Sequence, residues 1–344
     1  MSVLYLLTSS APIIQGTDAT FQEISALQNE FNGEVVNLCP RSIPGRRFPP
    51  QLLGFHKLVE IRRLERRYEV THVYHSVLYP FPVLRFLRNP VVYTVLTSLR
   101  QAAKPTRLKF LAGLHCIAVS DGRDADILKS WGLSNCAIVP PAIDTRPLTQ
   151  SSLALGEEIT LLMASAPWTE GQFELKGVDD LLEAAASLPK LRLILIWRGL
   201  LLNELRERVE RLGIGDRVEI VTERVAIDDY LKRAHAAVLP AKRSDIVKAY
   251  PHSLLESLIA GKPVILSAAL PMAEYVRQHG CGIVVEEVRQ QTLIAAIEDL
   301  RSRYDDLAQQ ARLTNAQQFS QQTMIDRYRD IYTRSGRDRP PSKP

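Results

Sequence analysis

Lys176 beside Gly177, and Lys248, are cations of this 344-residue chain whose type suits an anionic ligand, while Ser253-Leu254-Leu255-Glu256 and Glu274 set acids at or near predicted helix starts. Lys176 stands at the entrance to a helical stretch, where the helix dipole disfavours a cation. It is therefore either a solvated lysine or one held there by a partner anion, and Gly177 lets a backbone approach closely. Ser253, followed three residues later by Glu256 ahead of an apolar run, has the pattern of a capping box, in which the Glu folds back onto the helix start. The same residues could instead turn main-chain amides and a carboxylate toward a ligand, and the two uses compete for Glu256. Lys248 is a second cation or a plain loop lysine. Arg198 ends a predicted strand and either faces the same edge or is a surface arginine. Glu274 is a ligand-side or a helix-surface acid, and Gly16 lies in the loop after the first strand. His72 and His75 read better as satisfied strand histidines than as ligands. No spacing suggests a metal centre. Cys39, Cys116, Cys136 and Cys281 are scattered with no CxxC pair, which suits reduced thiols.

These residues need elements to hold them, and the chain alternates short apolar runs with helical periodicity throughout. Val3–Leu7, Glu34–Leu38, Val70–Tyr74, Val91–Val95, Cys116–Val119 and Ala137–Val139 are predicted strands. Helices are expected over Ala19–Phe31, Leu52–Arg67, Thr106–Leu111 and Asp121–Trp131. Pro140-Pro141, Pro147 and the polar Thr149–Ser152 break the pattern and read as a linker. The alternation then restarts with strands at Ile159–Met163, Leu191–Ile196, Val218–Val221, Ala236–Leu239, Val264–Leu266 and Ile283–Val285. Helices are expected at Val178–Ser187, Leu201–Leu212, Ile227–Arg233, Ser253–Ala260, Met272–Gln278, from Gln291 onward, and over Phe319–Ser335. Strand–helix alternation with β-branched strands implies α/β structure with parallel sheets.

Residues 159–300 carry an ordered series of segments: Lys176-Gly-Val-Asp-Asp-Leu-Leu-Glu-Ala, Leu193-Ile-Leu-Ile-Trp-Arg-Gly, Gly213-Ile-Gly-Asp-Arg-Val-Glu-Ile, Ala234-His-Ala-Ala-Val-Leu-Pro, Ser253-Leu-Leu-Glu-Ser-Leu-Ile-Ala-Gly-Lys-Pro-Val-Ile, then Glu274 and Gly280-Cys-Gly-Ile-Val-Val. In order and spacing this resembles the nucleotide-sugar-binding domain of the retaining family-four glycosyltransferases. The resemblance implies a GT-B architecture, two Rossmann-like parallel-sheet domains facing across a cleft. It implies an acceptor-side domain over 1–146, a donor domain over 153–318, a helix at 319–335 crossing back, and a flexible tail at 336–344. It implies a sugar moved from a nucleotide-sugar donor to a glycan or lipid-linked acceptor, with retention and with no metal or further cofactor. Lys176 and Glu256 are then the catalytic residues, Lys176 at the donor diphosphate and Glu256 at the nucleoside ribose. Gly16, Gly177, Arg198, Lys248, Ser253, Leu254, Leu255 and Glu274 surround the donor. The chain also departs from the family pattern. Lys248 stands where the first of two glutamates eight positions apart is usual, Ala164–Glu174 lacks an arginine, and Leu96-Thr97-Ser98 lacks a histidine. A catalytically degenerate binding or scaffold protein on the same fold is the alternative reading, and a sugar-nucleotide epimerase fits less well.

Charge is distributed unevenly. Fourteen Lys or Arg lie between Arg41 and Lys109 against Glu60, Glu65 and Glu69, so this stretch carries +11 of a net charge of +5. An anionic membrane surface is the partner such a basic amphipathic stretch suits, with an ordinary solvated face as the plain alternative. Nucleic acid is not expected, for no recognised module or interleaved aromatic pattern accompanies the charge. The apolar runs fall well short of a membrane span and the N-terminus lacks a basic leader, so the expectation is a cytoplasmic protein, peripheral at most.

Overall fold

A computed structural model describes residues 1–8, 19–39, 49–197, 201–314 and 316–337. The chain divides into two units, Met1–Ala142 with Phe319–Pro344, and Ile143–Gln318.

The first unit opens β1 (Val3–Leu7), α1 (Ala19–Glu30), β2 (Glu34–Asn37), α2 (Leu58–Leu64), β3 (Val70–His75) and β4 (Val91–Val95). It continues with α3 (Leu108–Ala112), β5 (Cys116–Val119), α4 (Gly122–Ser130) and β6 (Cys136–Ile138). The six strands form one sheet in the order β2-β1-β3-β4-β5-β6, all parallel. Successive side chains of a strand face opposite ways, and both faces are buried here, which is why the strands read as unbroken apolar runs. Leu4, Leu6, Val73 and Tyr93 enter the core on one face. Val3, Tyr5, Leu7, Val70 and Tyr74 enter the core on the other, where α1 contributes Ile24 and Leu27.

The helix expected over Leu52–Arg67 is only partly present. Two 3-10 turns, Pro50–Leu52 and Phe55–Lys57, precede α2. Gly54 between them is left-handed at φ 85°, which ends helical continuity.

The second unit comprises β7 (Ile159–Met163), α5 (Gln172–Leu175), α6 (Val178–Ser187), β8 (Leu191–Ile196), α7 (Leu202–Arg211), β9 (Val218–Val221) and α8 (Ile227–Leu231). After these come β10 (Ala236–Leu239), α9 (His252–Ile259), β11 (Val264–Ser267), α10 (Met272–His279), β12 (Gly282–Val285), α11 (Gln290–Ser302) and α12 (Tyr304–Arg312). Its sheet runs β12-β11-β10-β7-β8-β9, again all parallel. Strand order reverses between β7 and β10. In sheets of this kind the crevice outside the carboxyl ends of the strands at such a switch point is where ligands bind.

The last helix, α13 (Gln321–Arg337), packs in the first unit. Met324, Ile325, Tyr328, Ile331 and Tyr332 recur at helical spacing and join the core that α1 covers. His72 lies beneath it, fully buried, with Nδ1 2.5 Å from the Tyr332 hydroxyl and Nε2 2.7 Å from Thr94 Oγ1. Burial lowers its pKa well below the ordinary imidazole value, so the ring is neutral. It is a satisfied core histidine that pins α13. His75 is likewise bonded locally, its Nδ1 2.7 Å from the Val77 carbonyl.

Candidate functional site

The loops leaving β7, β10 and β11 build the carboxyl edge of the second sheet at its switch point. Gly177 is what allows two of them to meet. It is left-handed at φ 69°, and a Cβ there would lie 2.2 Å from the Pro240 carbonyl oxygen. No other residue type tolerates both conditions. The contact is reinforced where the Lys242 amide donates to the Leu175 carbonyl at 2.8 Å and Lys242 Nζ pairs with Asp180 at 2.8 Å. The Ser267 hydroxyl donates to the Ala241 carbonyl, and the Met272 amide donates to Ala249 at 3.3 Å, joining the third loop and the start of α10 to the second.

Lys176 is not the solvated lysine of the plain reading. Its side chain is 3% exposed, and Nζ donates to the Ala166 carbonyl at 2.8 Å and the Ser165 hydroxyl at 3.3 Å. Burial pulls its pKa from 10.5 down to about 8. At neutral pH it remains mainly a cation, but one short of solvation, which favours an incoming anion. An ammonium has three protons to donate, and the loop carbonyl and hydroxyl take two.

The helix α9 corrects the capping-box reading. Pro251 is its N-cap and makes no side-chain cap bond, while His252 is its first residue. Ser253 is thus the second helical residue and Glu256 the fifth, beyond the position from which a side chain folds back onto the N-cap. Glu256 is half-buried. Leu254 and Leu255 are fully buried, so only their main chain could meet a ligand, and both amides donate to the Pro251 carbonyl at 3.1 Å. The Ser253 amide, at the second position, has no intrahelical acceptor. Lys248 Nζ lies 3.4 Å from His252 Nε2, which sets a half-buried cation beside the amino end of α9. Glu274 is half-buried in the first turn of α10. Gly16 and Arg198 lie outside the described residues. Among the described residues, no group of three or more His, Cys, Asp or Glu is placed to hold a metal ion.

Sequence reasoning missed the supports of this edge. Arg208 lies over the Phe173 ring at 3.8 Å and bridges Glu170 at 2.5 Å and Asp179 at 2.8 Å. Phe173 packs on buried Trp197 at 5.5 Å between ring centres. Arg208 is thus engaged in bracing the β7–α6 connection, and Arg198, the candidate to replace the arginine lacking from Ala164–Glu174, lies outside the described residues. The position of Arg208 on α7, some thirty residues on, left no local signal.

Residues 171–319 match the family model described as glycosyl transferases group 1. The chain is 26% identical over 215 residues to the lipopolysaccharide glucosyltransferase WaaG of Escherichia coli (strain K12). That alignment spans 57% of this chain and about half the length, 55%, of the relative. Among solved structures, HepE of Anabaena in complex with UDP and glucose superposes with a TM-score of 0.72 at 16% identity, covering 97% of this chain and 100% of that one. Sucrose-phosphate synthase of Thermosynechococcus elongatus gives 0.73 at 16% identity, covering 98% and 100%. The fold is GT-B. The resemblance of the second half to the family-four glycosyltransferases holds, and the segment it rests on is the one that builds this edge.

Proposed function

We propose that the chain is a glycosyltransferase that takes a sugar from a nucleotide-sugar donor, held on the second unit, and passes it to a glycan or lipid-linked acceptor. The observation that carries this reading is the close approach of Lys176-Gly177 to the loop after β10, the loop that leads on to α9, at the β7/β10 switch point. A departing nucleoside diphosphate develops negative charge, and a poorly solvated ammonium with a helix N-terminus stabilises that charge without a metal. In this reading Lys176 faces the diphosphate, the Ser253 amide donates to it, and Glu256 accepts from the ribose hydroxyls. Gly177, Lys248 and Glu274 complete the donor's surroundings. HepE, crystallised with UDP and glucose, and the glucosyltransferase WaaG support a hexose on a uridine diphosphate as the first donor to try. Retention at the anomeric carbon and independence of metal belong to the same proposal.

The basic stretch 41–109 is the face we assign to an anionic membrane surface, its residues 41–48 lying outside the described ones. No helix among the described residues is long and apolar enough to cross a membrane. The test of turnover is release of UDP from UDP-hexose, followed with and without a chelator. Chelator-insensitive release supports the metal-independent transferase. UDP binding with no turnover on any acceptor or water would favour the degenerate binding protein, for which Lys248 in place of a glutamate is the supporting residue.

A further inference from the structure

The first unit contains a concavity of about 820 Å³ that the proposed chemistry does not use. Its wall includes Asn89, Pro90 and Val91 at the start of β4, and Leu114 and His115 just before β5. It therefore opens at the amino ends of the strands, the edge opposite the one where sheets of this type bind substrates. Its volume is that of a small-molecule site.

The lining is cationic over an apolar floor. Arg66, Arg85, Arg88 and His115 contribute to it, with Phe110 below and Glu65 as the acid. Three guanidiniums against one carboxylate leave a formal excess of two positive charges. Arg146, Arg192, Arg208, Arg233, Arg243 and Arg329 are paired with acids. Among the described residues no ion pair is recorded for Arg66, Arg85 or Arg88.

The wall is also braced. Buried Glu65 accepts from the Arg88 amide at 2.9 Å and the Asn89 amide at 3.1 Å, and Asn89 Nδ2 donates to the Glu65 and Tyr68 carbonyls at 3.0 and 2.7 Å. Arg85 lies over the Phe110 ring at 5.2 Å, which orients its planar fork. His115 Nε2 is held 3.1 Å from the Ile331 carbonyl. Glu65 acts here on the turn that presents Arg88 rather than on the guanidiniums.

We infer that this concavity is a binding site for a dianionic phosphate monoester, held by Arg66, Arg85 and Arg88. Three exposed, fork-shaped guanidiniums on the wall of one hollow suit the oxygens of such a group. The ester is either a free phosphorylated metabolite or the headgroup of phosphatidic acid. The inference stands whether or not the second unit transfers sugar, and it names a discrete seat rather than a diffuse basic face.

The test uses the full chain carrying Lys176→Ala, so that the proposed donor site does not contribute. Glycerol 3-phosphate is titrated by calorimetry, and phosphatidylcholine vesicles with and without phosphatidic acid are used in flotation. The inference expects binding to at least one probe, weakened on the order of tenfold to a hundredfold by Arg85→Ala with Arg88→Ala. Binding of glycerol 3-phosphate identifies a free ester, and binding only of phosphatidic acid vesicles identifies the headgroup. Arg66→Ala, on a separate segment, weakens the same probe, which guards against a folding defect in the double variant. Binding of neither probe, or binding that the arginine variants leave unchanged, overturns the inference.

Discussion

Removing the Lys176 ammonium should separate ligand affinity from stability, because its effects on the fold oppose one another. Holding the charged form in a site where its pKa falls from 10.5 to about 8 costs about 3 kcal/mol. Lys176→Ala relieves that cost but leaves the Ala166 carbonyl and Ser165 hydroxyl short of a donor, a loss of about 1 to 3 kcal/mol. The two nearly cancel, so the melting temperature at pH 7 should move by only a few degrees. Affinity for UDP has no such compensation. A charge-assisted bond to the diphosphate contributes about 1.5 to 3 kcal/mol, so calorimetry should show a loss on the order of tenfold to a hundredfold. The pH dependence follows from the same residue. Below about 8 the free protein already holds the ammonium, and above it binding requires uptake of a proton, so affinity should fall as pH rises from 7 to 9.5. Stability runs the other way. Between pH 8 and 10.5 the unfolded chain holds a proton the folded one has lost, so folding gains with rising pH in that window. Lys176→Ala should flatten both profiles. Equal UDP affinity in the two proteins, or a wild-type affinity flat to pH 9.5, would refute the reasoning.

Three further outcomes are expected. Gly177→Ala should destabilise the second unit by about 2 kcal/mol or more and abolish UDP binding, since its Cβ would lie 2.2 Å from the Pro240 oxygen at a left-handed φ; denaturant melts and calorimetry check both. Glu256→Ala should weaken UDP but not inorganic pyrophosphate, and should leave the melting temperature nearly unchanged because α9 starts without a capping box. His72→Phe should cost about 1 to 3 kcal/mol in urea melts by removing one hydrogen bond each from buried Thr94 and Tyr332. The wild type should also lose stability as pH falls below 6.5, where the unfolded chain takes up a proton the buried ring refuses, and His72→Phe should reduce that dependence, leaving the part due to His75 and His235.

Much of the fold was legible from periodicity. The spans of β1, β4, β5 and β7 to β10 agree with the apolar runs, because both faces of each parallel sheet are buried and the runs end at polar or glycine turns. Helix starts were read less well. Gly54 interrupts a stretch whose apolar spacing otherwise continues, with a positive φ and with Val83 and Leu38, distant in sequence, close to where a Cβ would stand. Ser253…Glu256 has the letters of a capping box, yet Pro251, with its fixed φ, takes the N-cap two residues earlier. At the candidate site Lys176-Gly177 was legible as a cation beside a close approach. What it approaches, Pro240, lies over sixty residues away and comes near only because β10 pairs with β7. The arginine hollow in the first unit was visible only as net charge, since the strand order gathers Arg66, Arg85, Arg88 and His115 from separate segments.

The central claim is that the carboxyl edge of the second sheet holds a nucleoside diphosphate, and a crystal structure of the chain soaked with UDP tests it most directly. The account predicts the diphosphate at the β7/β10 switch point, with an oxygen within hydrogen-bond reach of Lys176 Nζ and of the Ser253 amide, and the ribose hydroxyls against Glu256. Density for UDP elsewhere on the chain, or an unoccupied edge at a UDP concentration that calorimetry shows to be saturating, would contradict it.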